Sequence, residues 1–248
     1  MTLPSAGDWL WPDWRPHPRV RVAVTTRLGN HSAPPLHGFN LGTRCGDDPQ
    51  RVERARQHVH RLLATDHPPV WLEQVHGNRV VHAGETGLEA DGAWSDEPEW
   101  PCAVLTADCL PVLMARRDGT AVGAFHAGWR GLHGGILEAG VRTLAPAGEP
   151  LAAWLGPAIG QSAYQVGQEV REAFVRDDPA AEEAFMPDTP GHWRMSLVKL
   201  AVLRLQRAGV EQVAGGEYCT VARGDLFYSH RHEGRTGRFA SLIWISHG

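Results

Sequence analysis

A chain of 248 residues, 42% hydrophobic, with a net charge of -4 and a pI near 6.4, suits one large domain with a sizeable core. No basic tail or Lys/Arg cluster is present, which excludes the electrostatic footprint of a nucleic-acid binder. No apolar run approaches the roughly 20 residues of a membrane helix, so neither nucleic acid nor membrane is an expected partner. Lys199 is the only lysine, so a Schiff-base mechanism would have to use it. Cys45, Cys102, Cys109 and Cys219 are widely spread without a CxxC pair and do not form a disulfide framework. The N-terminal segment lacks a basic region followed by an apolar one, so a cytoplasmic, reducing location is expected.

Residues 1–20, rich in Trp and Pro, read as an irregular arm packed on a single catalytic domain, 21–248. "RVRVAVTTR" alternates as a half-exposed strand does. Residues 28–49, rich in Gly, Pro and Asn, form a long loop of the kind that often carries function. Asp48-Pro49 start a helix with Val52, Ala55, Val59, Leu62 and Leu63 at helical spacing. "PVWLEQVHGNRVVHAG" reads as strand, turn, strand, with the turn near His76, and "EADGAWSDEPEWP" as an acidic loop. "CAVLTADCLPVLMAR" is a strand pair or one kinked strand, since Pro111 cannot donate to a ladder.

"AVGAFHAGWRG" runs as a strand into a glycine-rich turn, and a helix follows from Leu132 to Leu144. "LAAWLGPAIG" is a buried strand and "VGQEVREAFVR" a helix. Ser196 caps another helix that Gly209 stops, and "RTGRFASLIWIS" is the closing strand. Strands outnumber helices without βαβ alternation, which indicates an α+β fold with mixed sheets.

Three positions place a metal-ligating side chain beside glycine or at a strand end: His76 in "QVHGN", Cys109 in "TADCLP" and His126 in "FHAGWRG". Two imidazoles and a thiolate suit zinc, and three protein ligands with an open fourth position are the catalytic pattern. The same atoms also fit a Cys109 nucleophile with His76 or His126 as its base. Asp108, preceding Cys109, points to the opposite face of a strand. It could orient the site, accept a substrate hydrogen bond, or pair with a buried arginine. Arg130 lies at a helix start, where a guanidinium fork and backbone N–H groups favour phosphate or carboxylate; alternatively it caps strand carbonyls. "FYSHRHEGRTGR", with Arg231, could line a pocket for anionic or aromatic ligands or be a solvated loop.

"TTR" (25–27), "NLG" (40–42), "QVHG" (74–77), "ADG" (90–92), "TADCLPVL" (106–113), "HAGWRG" (126–131), "GPAIG" (156–160) and "GRTGR" (234–238), in this order, resemble the YfiH-type family. That family has been called a polyphenol oxidase or laccase-domain family and is described as purine nucleoside phosphorylases with adenosine deaminase activity. The resemblance covers about Arg21 to Ile245. It implies αββα-like layers related to a toxin-type cysteine hydrolase fold, and a metal site on His76, Cys109 and His126. Ser196 stands where the family usually has aspartate, and His230 follows Tyr228-Ser229 where it often has tyrosine.

The expected function is thus zinc-dependent phosphorolysis of adenosine, inosine and methylthioadenosine, with deamination of adenosine. Cys109, His126 and Arg130 are the catalytic candidates, with Arg27, Asn40, Asp108 and Arg231 around the nucleoside and phosphate. Copper is the second metal candidate, and the chain is read as a monomer or homodimer. Laccase chemistry is discounted because it needs many histidines, and only His58-Val59-His60 and His230-Arg231-His232 form His-x-His pairs. A cysteine-type amide hydrolase acting on peptidoglycan precursors and a non-enzymatic metal-binding module are the alternatives.

Overall fold

In a computed structural model, which describes residues 2–85 and 89–247, the chain is mixed α+β. In chain order the elements are β1 (Val20–Val24), α1 (Pro49–Leu63), β2 (Val80–His82), β3 (Gly92–Ser95), β4 (Cys102–Thr106), β5 (Leu110–Arg116) and β6 (Val122–Ala127). There follow α2 (Trp129–His133), α3 (Ile136–Leu144), β7 (Leu151–Leu155), β8 (Gln165–Gly167), α4 (Gln168–Asp177), β9 (Phe185–Pro187) and β10 (His192–Met195). The last are α5 (Leu197–Arg207), β11 (Gln212–Gly215), α6 (His230–Glu233) and β12 (Phe239–Ile245).

A six-stranded sheet in the order β11-β7-β5-β6-β3-β2 packs face to face on a three-stranded sheet, β1-β12-β4. Val22, Val104 and Ile243 meet Leu113, Val122 and Ala124 between them. Helix α1 covers the outer face of the small sheet through Ala55 and Val59 against Ala23, Ala103 and Leu242. Helix α3 covers the outer face of the large one through Ile136, α5 packs against α3 through Leu200, and α4 lies against β8 and β10, with Phe174 in the same core. The layers are therefore αββα, as the family resemblance implies. No helix is long and apolar enough to cross a membrane among the described residues.

Local signals form the elements they predict where short-range chemistry decides. Asp48 caps α1, its carboxylate accepting from Gln50 N at 2.9 Å. Ser196 Oγ accepts from Lys199 N at 3.2 Å at the start of α5. Four readings change. Strand β1 is buried on both faces except for Arg21, because its sheet lies between α1 and the large sheet. Residues 70–82 are not a hairpin: among the described residues the first half makes only the bridges Val70–Cys102 and Glu73–Glu89, and β2 pairs in parallel with β3. The acidic loop contains β3, an interior strand between β2 and β6. The single helix to Leu144 is two, because Gly135 turns to φ 88° between α2 and α3. Strands β9, β10 and β11 have no counterpart in the sequence pattern, and β8 takes Val166 and Gly167 from the start of the expected helix, which begins at Gln168.

Candidate metal centre

The segment "VLTADCLPVLM" is two strands in two different sheets. The chain leaves the small sheet after Thr106 and enters the large one at Leu110. Asp108, at φ 96°, makes the crossing, and this left-handed backbone is costly for a residue other than glycine. Cys109 sits at the mouth of β5, opposite the end of β6, where Leu110 pairs with Ala127. His126 is the penultimate residue of β6. His76 is delivered by the turn after the 70–75 stretch, itself at φ 63°. The three ligand atoms lie within 4.8 Å of one another, and His76 Nε2 is 3.9 Å from Cys109 Sγ. Tetrahedral zinc bound to sulfur and nitrogen would set them roughly 3.5 Å apart, so the donor set fits zinc with little movement.

Asp91, immediately before β3, holds two of the three ligands. Its Oδ1 accepts from His126 Nδ1 at 2.7 Å and from His76 N at 2.9 Å. Its Oδ2 accepts from Gly77 N at 2.7 Å and Val75 N at 3.1 Å. These bonds explain why 75–77 needs no partner strand: a carboxylate satisfies the donors of its turn. They also leave His126 Nε2 as the free ring nitrogen, the carboxylate–histidine–metal arrangement that orients a ligand and raises its basicity. Glycine permits the close packing around them. A Cβ on Gly128 would stand 2.9 Å from Cys109 Sγ and 3.0 Å from His76 Cδ2. One on Gly131 would stand 2.9 Å from Gly77 O.

The electrostatics favour a thiolate. Burial pushes the Cys109 thiol up, but the charges and hydrogen bonds of His126 and His76 overcome it and bring it down to about 6. Burial likewise opposes the charge of His126, and Cys109 and Asp91 more than offset it, holding the imidazolium. The three ligands open on a cleft of about 820 Å³ that also exposes Arg44, Arg56, Trp71, His230 and Arg238. This is within the usual range for a small-molecule site.

The profile of a family described as multi-copper polyphenol oxidoreductase laccase matches residues 21–246. A Pseudomonas aeruginosa relative named purine nucleoside phosphorylase is 48% identical over 239 residues, covering 96% of this chain and 98% of its own. An Escherichia coli relative named purine nucleoside phosphorylase YfiH is 46% identical over 238 residues, covering 94% and 97%. The chain belongs to the YfiH-type family. A solved Neisseria meningitidis protein superposes on this YfiH-type chain with a TM-score of 0.92 at 43% identity, over 97% of this chain and 100% of its own. The Bacillus licheniformis YfiH structure does so at 0.85 and 31%, over 92% and 93%.

The other expected site residues of this YfiH-type protein divide by the partners they have. Arg130, in α2, is exposed, lies 4.3 Å from the Trp129 ring centroid, and forms no ion pair among the described residues. Arg231 reaches Gln165 O at 2.8 Å and sits 5.2 Å over Tyr164. Arg27 forks onto Glu233 at 2.6 and 3.2 Å and stacks on Tyr228, joining loops rather than facing the ligands. Asn40 is buried, and all four of its hydrogen-bonding positions go to Gly42 N, Gly42 O, Asp47 and Arg238 N. Asp108 makes no pair with an arginine side chain among the described residues: it accepts from Thr220 Oγ1 and from the backbone N of Arg231, each at 2.6 Å. It thereby ties the 219–231 segment to the Cys109 crossing.

The residue that sequence reasoning missed is Asp91. It stood inside "ADG", but the surrounding charges made that stretch read as a loop. A signal was present: Asp91 is flanked by the small residues Ala90, Gly92 and Ala93, apart from the acids of 96–99.

Proposed function

We propose that this protein is a zinc-dependent purine nucleoside phosphorylase that also deaminates adenosine. The observation that carries the reading is the His76–Cys109–His126 triad, with His126 locked by Asp91, at the end of a cleft large enough for a nucleoside. The names of relatives up to 48% identical support the reaction class. The one-cysteine, two-histidine donor set suits zinc better than a cluster of coppers. His58 and His60, the first His-x-His pair, direct Nε2 to the carbonyls of Pro4 and Thr65.

Zinc held by these three residues would supply Lewis acidity and lower the pKa of water to about 7, which suits deamination at C6. Phosphorolysis joins a phosphate oxygen to the ribose C1′ and breaks the bond to N9, whose electron pair leaves with the purine and takes a proton. Arg130, exposed and free of a carboxylate, would hold the phosphate, with Arg231 beside it. Asp91 would keep His126 in one tautomer; Asp108, Asn40 and Arg27 would hold the loops that carry these groups. The test is zinc-replete protein given adenosine with and without phosphate. Adenine and ribose 1-phosphate should appear only with phosphate, and inosine in both. If none of the three products forms, the reading fails.

The stabilised thiolate favours a second reading, a cysteine-type amide hydrolase acting on peptidoglycan precursors, with His76 or His126 as base. Activity on such an amide that survives chelation but not alkylation of Cys109 would establish it in place of the first.

A further inference from the structure

The cleft holds more charge than the metal triad accounts for, and Arg130 does not line it. Among its polar side chains, Arg44 is paired with Glu73. Gln74 is spent on both backbone groups of Leu105, at 2.9 and 2.8 Å. Arg56 and Arg238 are different. Each lines the cleft, and neither forms an ion pair with a carboxylate among the described residues.

Both are anchored to one residue. Arg56 Nε donates to Leu41 O at 3.0 Å, and the backbone O of Arg238 accepts from Leu41 N at 3.0 Å. Arg238 directs Nη1 to the carbonyls of Thr236 and Gly237, at 3.0 and 2.9 Å. The terminal nitrogens of Arg56 and Arg238 Nη2 have no protein hydrogen bond among the described residues. The Arg56 guanidinium lies 4.8 Å from the Trp71 ring centroid, and Trp71 also lines the cleft. Burial disfavours the charge on Arg56, and only Glu53 opposes that effect. Two half-buried, preoriented guanidiniums without a counter-charge are costly in a free protein and are favourable once an anion arrives.

We infer that Arg56 and Arg238, beside Trp71, form an anion subsite of the cleft that takes a phosphate group. Two sources share this chemistry: inorganic phosphate, and a phosphate ester carried by a nucleoside whose base or sugar packs on Trp71. The planar forks match phosphate oxygens, and the ring covers the apolar part of such a ligand. The inference rests on the phosphorylase reading only for which ligands to try first; the subsite itself stands on the cleft.

The experiment is calorimetric titration of the zinc-replete full chain with inorganic phosphate, adenosine 5′-monophosphate and adenosine. Wild type, Arg56→Gln and Arg238→Gln are compared, with Arg56→Lys as the variant that keeps the charge and loses the fork. Arg238→Gln decides the matter if Arg56→Gln fails to fold, since it leaves the Arg56–Leu41 anchor intact. A tenfold or greater rise in Kd for the monophosphate, with adenosine unchanged, assigns the subsite to an ester borne by the nucleoside. The same rise for inorganic phosphate, with the monophosphate binding no tighter than adenosine, assigns it to the free anion. Kd values within twofold of wild type for both anions in the folded variants, or no binding of either anion to wild type, overturn the inference. Turnover is assayed separately with adenosine and phosphate. Failed turnover with variant-sensitive anion binding counts against the phosphorylase reading alone. Turnover with unaltered binding counts against the subsite alone.

Discussion

Cys102 and Cys109 lie seven residues apart, one at the start of β4 and the other in the bend before β5, and their thiols are pulled in opposite directions. Cys102 opens β4, is fully buried between the sheets, and burial alone drives its thiol far above the usual range. Cys109 lies in the bend just before β5, but after the crossing at Asp108 it meets two imidazoles, and its thiol goes the other way. Desolvation opposes the thiolate at both, although Cys109 is only half-buried where it meets the cleft. The difference is the presence of charge partners, which only the second site has.

The largest effect expected from breaking that contrast is on metal content. Cys109→Ala should reduce zinc to well below one per chain and lower any phosphorolysis by at least about a thousandfold, since it deletes a ligand. Cys102→Ala should leave zinc and activity unchanged and cost about 1 kcal/mol of stability. Elemental analysis and denaturant unfolding of both variants give the comparison; zinc retained by Cys109→Ala would remove Cys109 from the ligand set.

Asp91→Asn is the next step down. It keeps the size of the side chain but exchanges an acceptor for a donor, so the His126 and His76–Gly77 bonds cannot all survive. Zinc affinity should fall roughly 10–100-fold, read by competition with a chelating dye. The same variant tests a pH effect. Burial would raise the Asp91 carboxyl, but the bonds from His126 and the 75–77 backbone hold it below the usual value. Its stabilising contribution is therefore complete above the unfolded carboxylate pKa of about 3.9 and lost as pH falls through the lower, folded value. Acid unfolding should be flatter over that range in Asp91→Asn than in wild type; coincident profiles would show that the bonds add no stability.

Alkylation sharpens the contrast between the two thiols directly. In chelated, folded protein, iodoacetamide should label Cys109 at pH 7, with a rate that falls below pH about 6. Cys102 should stay unlabelled until the chain unfolds, which peptide mass mapping would show. The smallest effect is expected from Gly128→Ala, whose new methyl would press on Cys109 and His76. A drop in zinc affinity of about tenfold, with the fold retained, is the predicted outcome. Wild-type affinity would mean that the turn relaxes without moving the ligands.

Several elements of the frame were legible residue by residue, whereas its αββα layering was implied only by the family resemblance. Asp48-Pro49 and the Val52-Ala55-Val59 spacing mark α1; Ser196 marks α5; the apolar runs mark β5, β6, β7 and β12. Short polar segments misled. Charges at 96–99 hid the interior strand β3, and the alternation in β1 concealed a second buried face that only the αββα layering creates.

The sequence by itself determined which side chains could bind a metal, and that His76, Cys109 and His126 each sit where a strand or turn can present them. Helix starts and strand periodicity were equally local, because a cap or an alternating pattern acts over a few residues. The tertiary structure decided the convergence. His76 and Cys109 are 33 residues apart, and Asp91 and His126 are 35 apart, yet each pair meets. It also decided that Asp108 binds the Thr220 hydroxyl and the Arg231 backbone instead of an arginine side chain. Those contacts depend on sheet order, on the chain changing sheets between Thr106 and Leu110, and on one buried carboxylate that gathers the donors of a distant turn. Such pairings are set by packing between segments, and no local pattern encodes them.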